Sequence, residues 1–227
     1  MEQAAPPPPE QPQAAAAPPV HVSGMDVTPA DPQAAYPTAY PVGLDIGYQR
    51  EYSRFYPLVK WLAAIPHFIA LFFVAIGFLV GWVVAFFAVL FTGKYPEGLF
   101  NFFLGFLRWS WRVNAYISLM EDKYPPFTLD DDPDYPVRLN IDYPPEGKIA
   151  RWRVIGNYFL AIPHLIILYF LIIGVFVVQI IAFFAILFTK EFTRGMFDFM
   201  ANAYRWQARV TSYQLFMTEK YPPFTLG

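Results

Sequence analysis

Two apolar runs, Trp61–Gly93 and Val154–Thr189, carry no formal charge, and the second repeats the first. From Pro57 to Leu129 and from Val154 to Leu226 the copies align without a gap at an offset of 97 residues, with 33 of 73 positions identical. Ala64-Ile65-Pro66-His67 returns as Ala161-Ile162-Pro163-His164, and Lys123-Tyr-Pro-Pro-Phe-Thr-Leu129 returns as Lys220 to Leu226. A period this long is a duplicated domain rather than a solenoid. Each run exceeds the roughly 18 apolar residues that signal a bilayer span. The pattern therefore predicts a mainly α integral membrane protein built from two homologous copies.

Composition agrees. Apolar residues make up 56% and charged residues 15%, against about 25% charged in a soluble domain. The net charge of −2 gives no basic field to recruit nucleic acid. The absence of cysteine removes disulfides, thiolate nucleophiles and thiolate metal sites, and leaves the redox compartment open.

Residues 1–39 hold ten prolines, four acids and no Lys or Arg, a composition that predicts a disordered tail. They lack the basic start and apolar core of a signal peptide. Copy 1 spans 40–129, an acidic linker 130–134, and copy 2 135–227. Each copy opens on a period-two segment: Val42, Leu44, Ile46 and Tyr48, then Val137, Leu139, Ile141 and Tyr143. These read as half-buried strands that pair with each other or with the Tyr-Pro-Pro-Phe-Thr-Leu segments.

The first run, Leu58 to Thr92, would be about 52 Å long as one helix, against a hydrocarbon core of about 30 Å. That excess means the run turns back or lies partly in the interface; Gly77 and Gly174 near mid-run favour a helical hairpin in each copy, spanning or re-entrant, Leu58–Ile76 with Phe78–Thr92 and Ile155–Ile173 with Val175–Thr189. Hairpins would put all 16 basic residues on one side, which the positive-inside rule makes cytoplasmic, with both termini. A third element runs from Glu97 to about Met120 and from Arg194 to about Met217. Asn101, Gly105, Arg108 and Arg112 share one helical face, as do Asp198, Asn202, Arg205 and Arg209. It reads as an amphipathic, interfacial helix, because arginines at mid-membrane would cost roughly 2.5–3.5 kcal/mol each.

Three groups could carry chemistry. His67 and His164 form a candidate intramembrane polar pair; the functional reading is a haem, metal or proton site between copies, and the structural reading is local hydrogen bonding near Pro66 and Pro163. Arg108, Trp109, Arg112, Arg205, Trp206 and Arg209 are candidate lipid-headgroup contacts. Asp130, Asp131, Asp132 and Asp134 lack the spacing of a calcium loop and read as a solvated linker. No catalytic motif is present, so no catalytic residue, metal or cofactor is expected.

The order Tyr-Pro-Val-x-Leu-x-Ile, Ala-Ile-Pro-His, Ala-Phe-Phe-Ala-x-Leu-Phe-Thr, Arg-Trp-x-x-Arg-Val and Tyr-Pro-Pro-Phe-x-Leu resembles a bacterial membrane-domain family of unknown function, DUF4389. The resemblance spans about residues 40–129 and 135–226. It implies a multi-pass protein of the bacterial cell membrane and brings no activity. Lys190-Glu191-Phe192-Thr193 departs from Gly93-Lys94-Tyr95-Pro96, which leaves the start of the third helix in copy 2 open. The expected role is a non-enzymatic scaffold or accessory subunit that meets the lipid bilayer, anionic lipids and other membrane subunits. The alternatives are a solute or lipid transporter with a path between the copies, and a lipid-acting enzyme or haem/metal protein using His67 and His164.

Overall fold

A computed structural model describes residues 40–226; the tail expected over 1–39 lies outside the described residues. The elements are β1 (Val42–Ile46), α1 (Tyr56–Ala63), α2 (Ile65–Thr92), α3 (Glu97–Ile117), β2 (Val137–Ile141), α4 (Arg153–Thr189) and α5 (Arg194–Gln214). A 3-10 turn at Pro145–Gly147 precedes α4.

The two apolar runs are long helices, not hairpins. Apart from one turn residue at Ala64 beside Pro66, helix is continuous from Tyr56 to Thr92, and α4 runs unbroken from Arg153 to Thr189 with Pro163 inside it. Both are long and apolar enough to cross a membrane. Neither Gly77 nor Gly174 interrupts its helix, and Gly174 sits at a close approach to a neighbouring ring. A Cβ at Gly77 would lie 3.5 Å from the Phe102 ring, and one at Gly174 would lie 3.1 Å from Phe199. A lone glycine costs a helix only about 1 kcal/mol relative to Ala, and no second turn residue accompanies either one. The true stops are Gly93 and Lys190, both left-handed at φ 70° and 64°, whose N–H groups bond Val89 and Ile186 carbonyls.

The strands pair with each other, antiparallel, with Leu44 opposite Leu139 and Asp45 opposite Arg138. The alternating pattern predicts this: Val42, Leu44, Ile46, Val137, Leu139 and Ile141 are all buried, and the intervening residues face outward. A two-stranded ribbon alone is marginal in water. Here β1 of copy 1 packs on α5 of copy 2, and β2 of copy 2 packs on α3 of copy 1. The copies therefore exchange strands.

Several ties between the copies come in reciprocal pairs. Tyr52 N–H bonds the Lys190 carbonyl while Ile149 N–H bonds Gly93. The Tyr48 hydroxyl bonds the Phe192 carbonyl while Tyr143 bonds Tyr95. Tyr40 bonds Lys220 while Tyr135 bonds Lys123. Contacts that swap i with j in this way define a twofold relation. The axis passes between Leu44 and Leu139, perpendicular to the ribbon.

The long helices obey the same axis. Pro57, Lys60 and Trp61 face Phe176 to Phe183, while Phe68 faces Ile172 to Phe176, so the helices run antiparallel. Along the axis the order is ribbon, then α3 and α5, then the long helices. Each long helix buries one narrow stripe, including Lys60, Ala64, His67, Ala85 and Val89 in copy 1, and leaves a wide apolar face open. The third elements, α3 and α5, begin at the equivalent residues Glu97 and Arg194, so the divergent Lys190–Thr193 segment leaves the helix start unchanged.

Candidate functional site

Each histidine lies in its own aromatic pocket, closed by residues of its own copy. The Trp109 indole N–H donates to His67 Nδ1 at 3.1 Å, and Trp206 donates to His164 Nδ1 at 3.0 Å. His67 stacks on Phe127 with ring centroids 3.9 Å apart, and His164 stacks on Phe224 at 4.0 Å. A ring nitrogen that accepts carries no proton, so each imidazole is neutral with its proton on Nε2. The stacked phenylalanines come from the repeated Tyr-Pro-Pro-Phe-Thr-Leu segments. The preceding tyrosines, Tyr124 and Tyr221, donate to the Ala63 and Leu160 carbonyls at 3.1 Å, in the helix turn that Pro66 and Pro163 disturb. The twofold repeats the histidine without bringing His67 and His164 into one site. In each pocket Nδ1 accepts the indole N–H, while the buried Nε2 has no hydrogen-bond partner among the described residues.

The arginines act as struts. Arg108 Nε donates to the Leu139 carbonyl at 2.9 Å and Arg205 Nε to the Leu44 carbonyl at 3.1 Å, clamping the ribbon at its twofold centre. One turn on, fully buried Arg112 bonds the Asp130 carbonyl at 2.9 Å, and buried Arg209 reaches Thr225 Oγ1 at 3.4 Å. Trp109, Arg112, Trp206 and Arg209 are enclosed by protein, so the expectation of headgroup contacts is not met at these four positions. Arg108 and Arg205 stay partly exposed and hold backbone. Gly105 completes this face: a Cβ there would meet the Leu129 carbonyl oxygen at 2.7 Å, so glycine lets the return segment lie against α3.

A cluster that the sequence does not announce sits at the start of copy 1. Lys60 is 1% exposed, and its ammonium bonds the Glu121 carbonyl and the Asp122 carboxylate, each at 2.7 Å. Burial pushes the neighbouring Glu121 carboxyl up, against the Lys123 N–H and the Lys60 charge, which pull it down. The equivalent residue in copy 2 is Asn157, also buried, whose amide donates to the Tyr213 carbonyl at 2.7 Å. A polar residue at this stripe position in both copies is the one sequence signal for the cluster. The linker acids have neighbours of their own: Asp131 pairs with Arg138 at 3.0 Å, and the Asp134 carbonyl takes Lys123 at 2.8 Å. Among the described residues no group of three or more His, Asp or Glu side chains is placed to hold a metal ion.

The paired pockets, the paired struts and the two Tyr-Pro-Pro-Phe-Thr-Leu segments that close them make the repeat unit plain. The model for the domain of unknown function DUF4389 matches residues 57–128 and again 151–225. The chain belongs to the DUF4389 family. It carries the domain twice, and each match runs from the long helix through the third helix to the segment that stacks on the histidine. Both strands lie outside the matched segments, so the ribbon that joins the two DUF4389 units is contributed by the flanking sequence. Neither the curated proteins nor the solved structures contain a match to this chain.

Proposed function

We propose that the chain is an integral protein of the bacterial cell membrane that performs no chemistry of its own and serves as a scaffold or accessory subunit at the cytoplasmic face. The observation that carries this reading is the open face of the long helices. Phe72, Phe73, Phe170 and Phe188 are 64–70% exposed within rows of exposed Leu, Ile and Val, far more apolar surface than a soluble monomer leaves open. Lys60, Arg112 and Asn157, buried in the interior, each hold a backbone carbonyl, which supports a structural role. Anionic headgroups meet exposed cations at the ends of the long helices, Arg54, Lys94, Arg151 and Lys190, rather than the buried Arg112 and Arg209. Tyr40 and Lys220 lie together at the ribbon, which supports both chain ends facing the cytoplasm.

A second reading, lipid handling, is favoured by a cleft of about 480 Å³ between the long helices, with Phe68, Ile172 and Phe176 as walls and Asn114, Ser118 and Gln207 as polar lining. Purification in mild detergent, with mass spectrometry of what accompanies the protein, separates the two. A stoichiometric protein partner supports the scaffold, whereas one tightly retained lipid species supports lipid handling. A protein that stays monomeric, lipid-free and soluble without detergent contradicts both.

A further inference from the structure

We propose that α1–α2 and α4 lie flat in the membrane plane, side by side within one leaflet, so that the chain is monotopic and its partner surface is the acyl interior of that leaflet. The proposal rests on the membrane reading above and adds the orientation. Three observations carry it.

The first is the twofold axis. Antiparallel helices related by a twofold lie across that axis, so helices that spanned the bilayer would put the axis in the membrane plane. The ribbon, centred on the axis at Leu44 and Leu139, would then sit beside the lipid at mid-depth with Asp45, Arg138 and Asp131. That is the costliest depth for charge. With the helices flat, the axis becomes the membrane normal and the ribbon faces water.

The second is the placement of cations. Exposed Arg54 and Lys190 lie at one end of the helix pair, where Tyr52 N–H bonds the Lys190 carbonyl. Exposed Lys94 and Arg151 lie at the other end, where the Lys94 and Lys148 backbones form an isolated antiparallel β-bridge and the Arg151 side chain lies against Gly93. Spanning helices would send one pair across the bilayer, against the positive-inside bias. Flat helices put all four at one headgroup level, where their stems reach down over apolar surface.

The third is length. Each long helix covers 37 residues, about 55 Å, against a hydrocarbon core of about 30 Å. Laid flat, a helix is about 10 Å thick and fits within one leaflet without mismatch.

The chain has no cysteine, so the double variant Arg54→Cys/Lys94→Cys reports orientation directly. It is reconstituted into sealed phosphatidylglycerol/phosphatidylethanolamine vesicles, floated on a density gradient and treated with an impermeant maleimide. Intact mass then counts the labels on each molecule. Flat helices give molecules with two labels or none, whatever the mixture of orientations. Molecules carrying one label overturn the proposal while leaving the membrane reading intact. Protein that fails to float with the vesicles overturns the membrane reading and this one with it.

Discussion

Trp109 donates its indole N–H to Nδ1 of His67 at 3.1 Å, and 97 residues later Trp206 does the same for His164 at 3.0 Å. Duplication has kept the bond, the stacked phenylalanine and the tyrosine beside the proline together as one unit. The bond orients the ring and pins the third helix to the long helix in each copy. His67→Phe leaves a buried indole donor without an acceptor, and the expected loss is about 1–3 kcal/mol in detergent-based unfolding. His67→Asn, which restores an acceptor near the same place, recovers part of it. The two pockets share no residue, so His67→Phe and His164→Phe add to within about 0.5 kcal/mol.

Arg112 holds the return segment rather than a lipid. Arg112→Met costs about 1.5–3 kcal/mol, and Arg112→Lys does not restore it, because a point charge cannot serve the separate Thr128 and Asp130 carbonyls that the guanidinium reaches. Hydrogen exchange shows the loss as faster amide exchange over 127–131, with the helix cores unchanged.

Lys60 is buried against Asp122 and the Glu121 carbonyl. Lys60→Ala strands a partly buried carboxylate and is expected to cost about 3–5 kcal/mol. The copy 2 solution at these positions is Asn157, Thr218 and Glu219. The triple variant Lys60→Asn/Glu121→Thr/Asp122→Glu should therefore recover most of the loss in a thermal melt. A triple variant no more stable than Lys60→Ala would refute the equivalence of the two clusters.

Burial raises the Glu121 carboxyl above its ordinary value of 4.5. The folded state then holds the proton more tightly than the unfolded chain, so stability falls as pH rises from about 4.5 through the folded-state value. Glu121→Gln removes that slope. The wild-type protein minus variant difference in unfolding free energy, followed from pH 4 to pH 8, should decline with pH; a flat or rising difference would show that Glu121 is not penalised by burial.

Much of this architecture is legible from residue patterns alone. Period-two alternation at Val42–Ile46 and Val137–Ile141 is a local signal, and so is the uncharged length of the two runs. Hairpins are not distinguishable from continuous helix at Gly174, because a glycine that opens a turn and a glycine that admits the Phe199 ring look alike in one dimension. The arginine stripe of α3 is legible from helical spacing. Spacing shows that Arg108 and Arg112 point the same way, but the cover over that face, the Leu139 and Asp130 carbonyls, comes from residues about 20–30 positions later. The Lys60–Asp122 pair joins residues 62 positions apart, and only the polar Asn157 in the second copy hints at it.

The central claim is that the apolar helices share one depth beneath a charged ribbon. Spin labels at Leu58, Phe72 and Phe87, which sit along the outward face of α1–α2 and are 47%, 64% and 48% exposed, read that depth directly from oxygen and nickel-chelate accessibility in lipid vesicles. The account predicts three labels at closely similar depths, within one leaflet. A profile with Phe72 deeper than both ends by about 10 Å or more, on the scale of the helix rise over those positions, would contradict it.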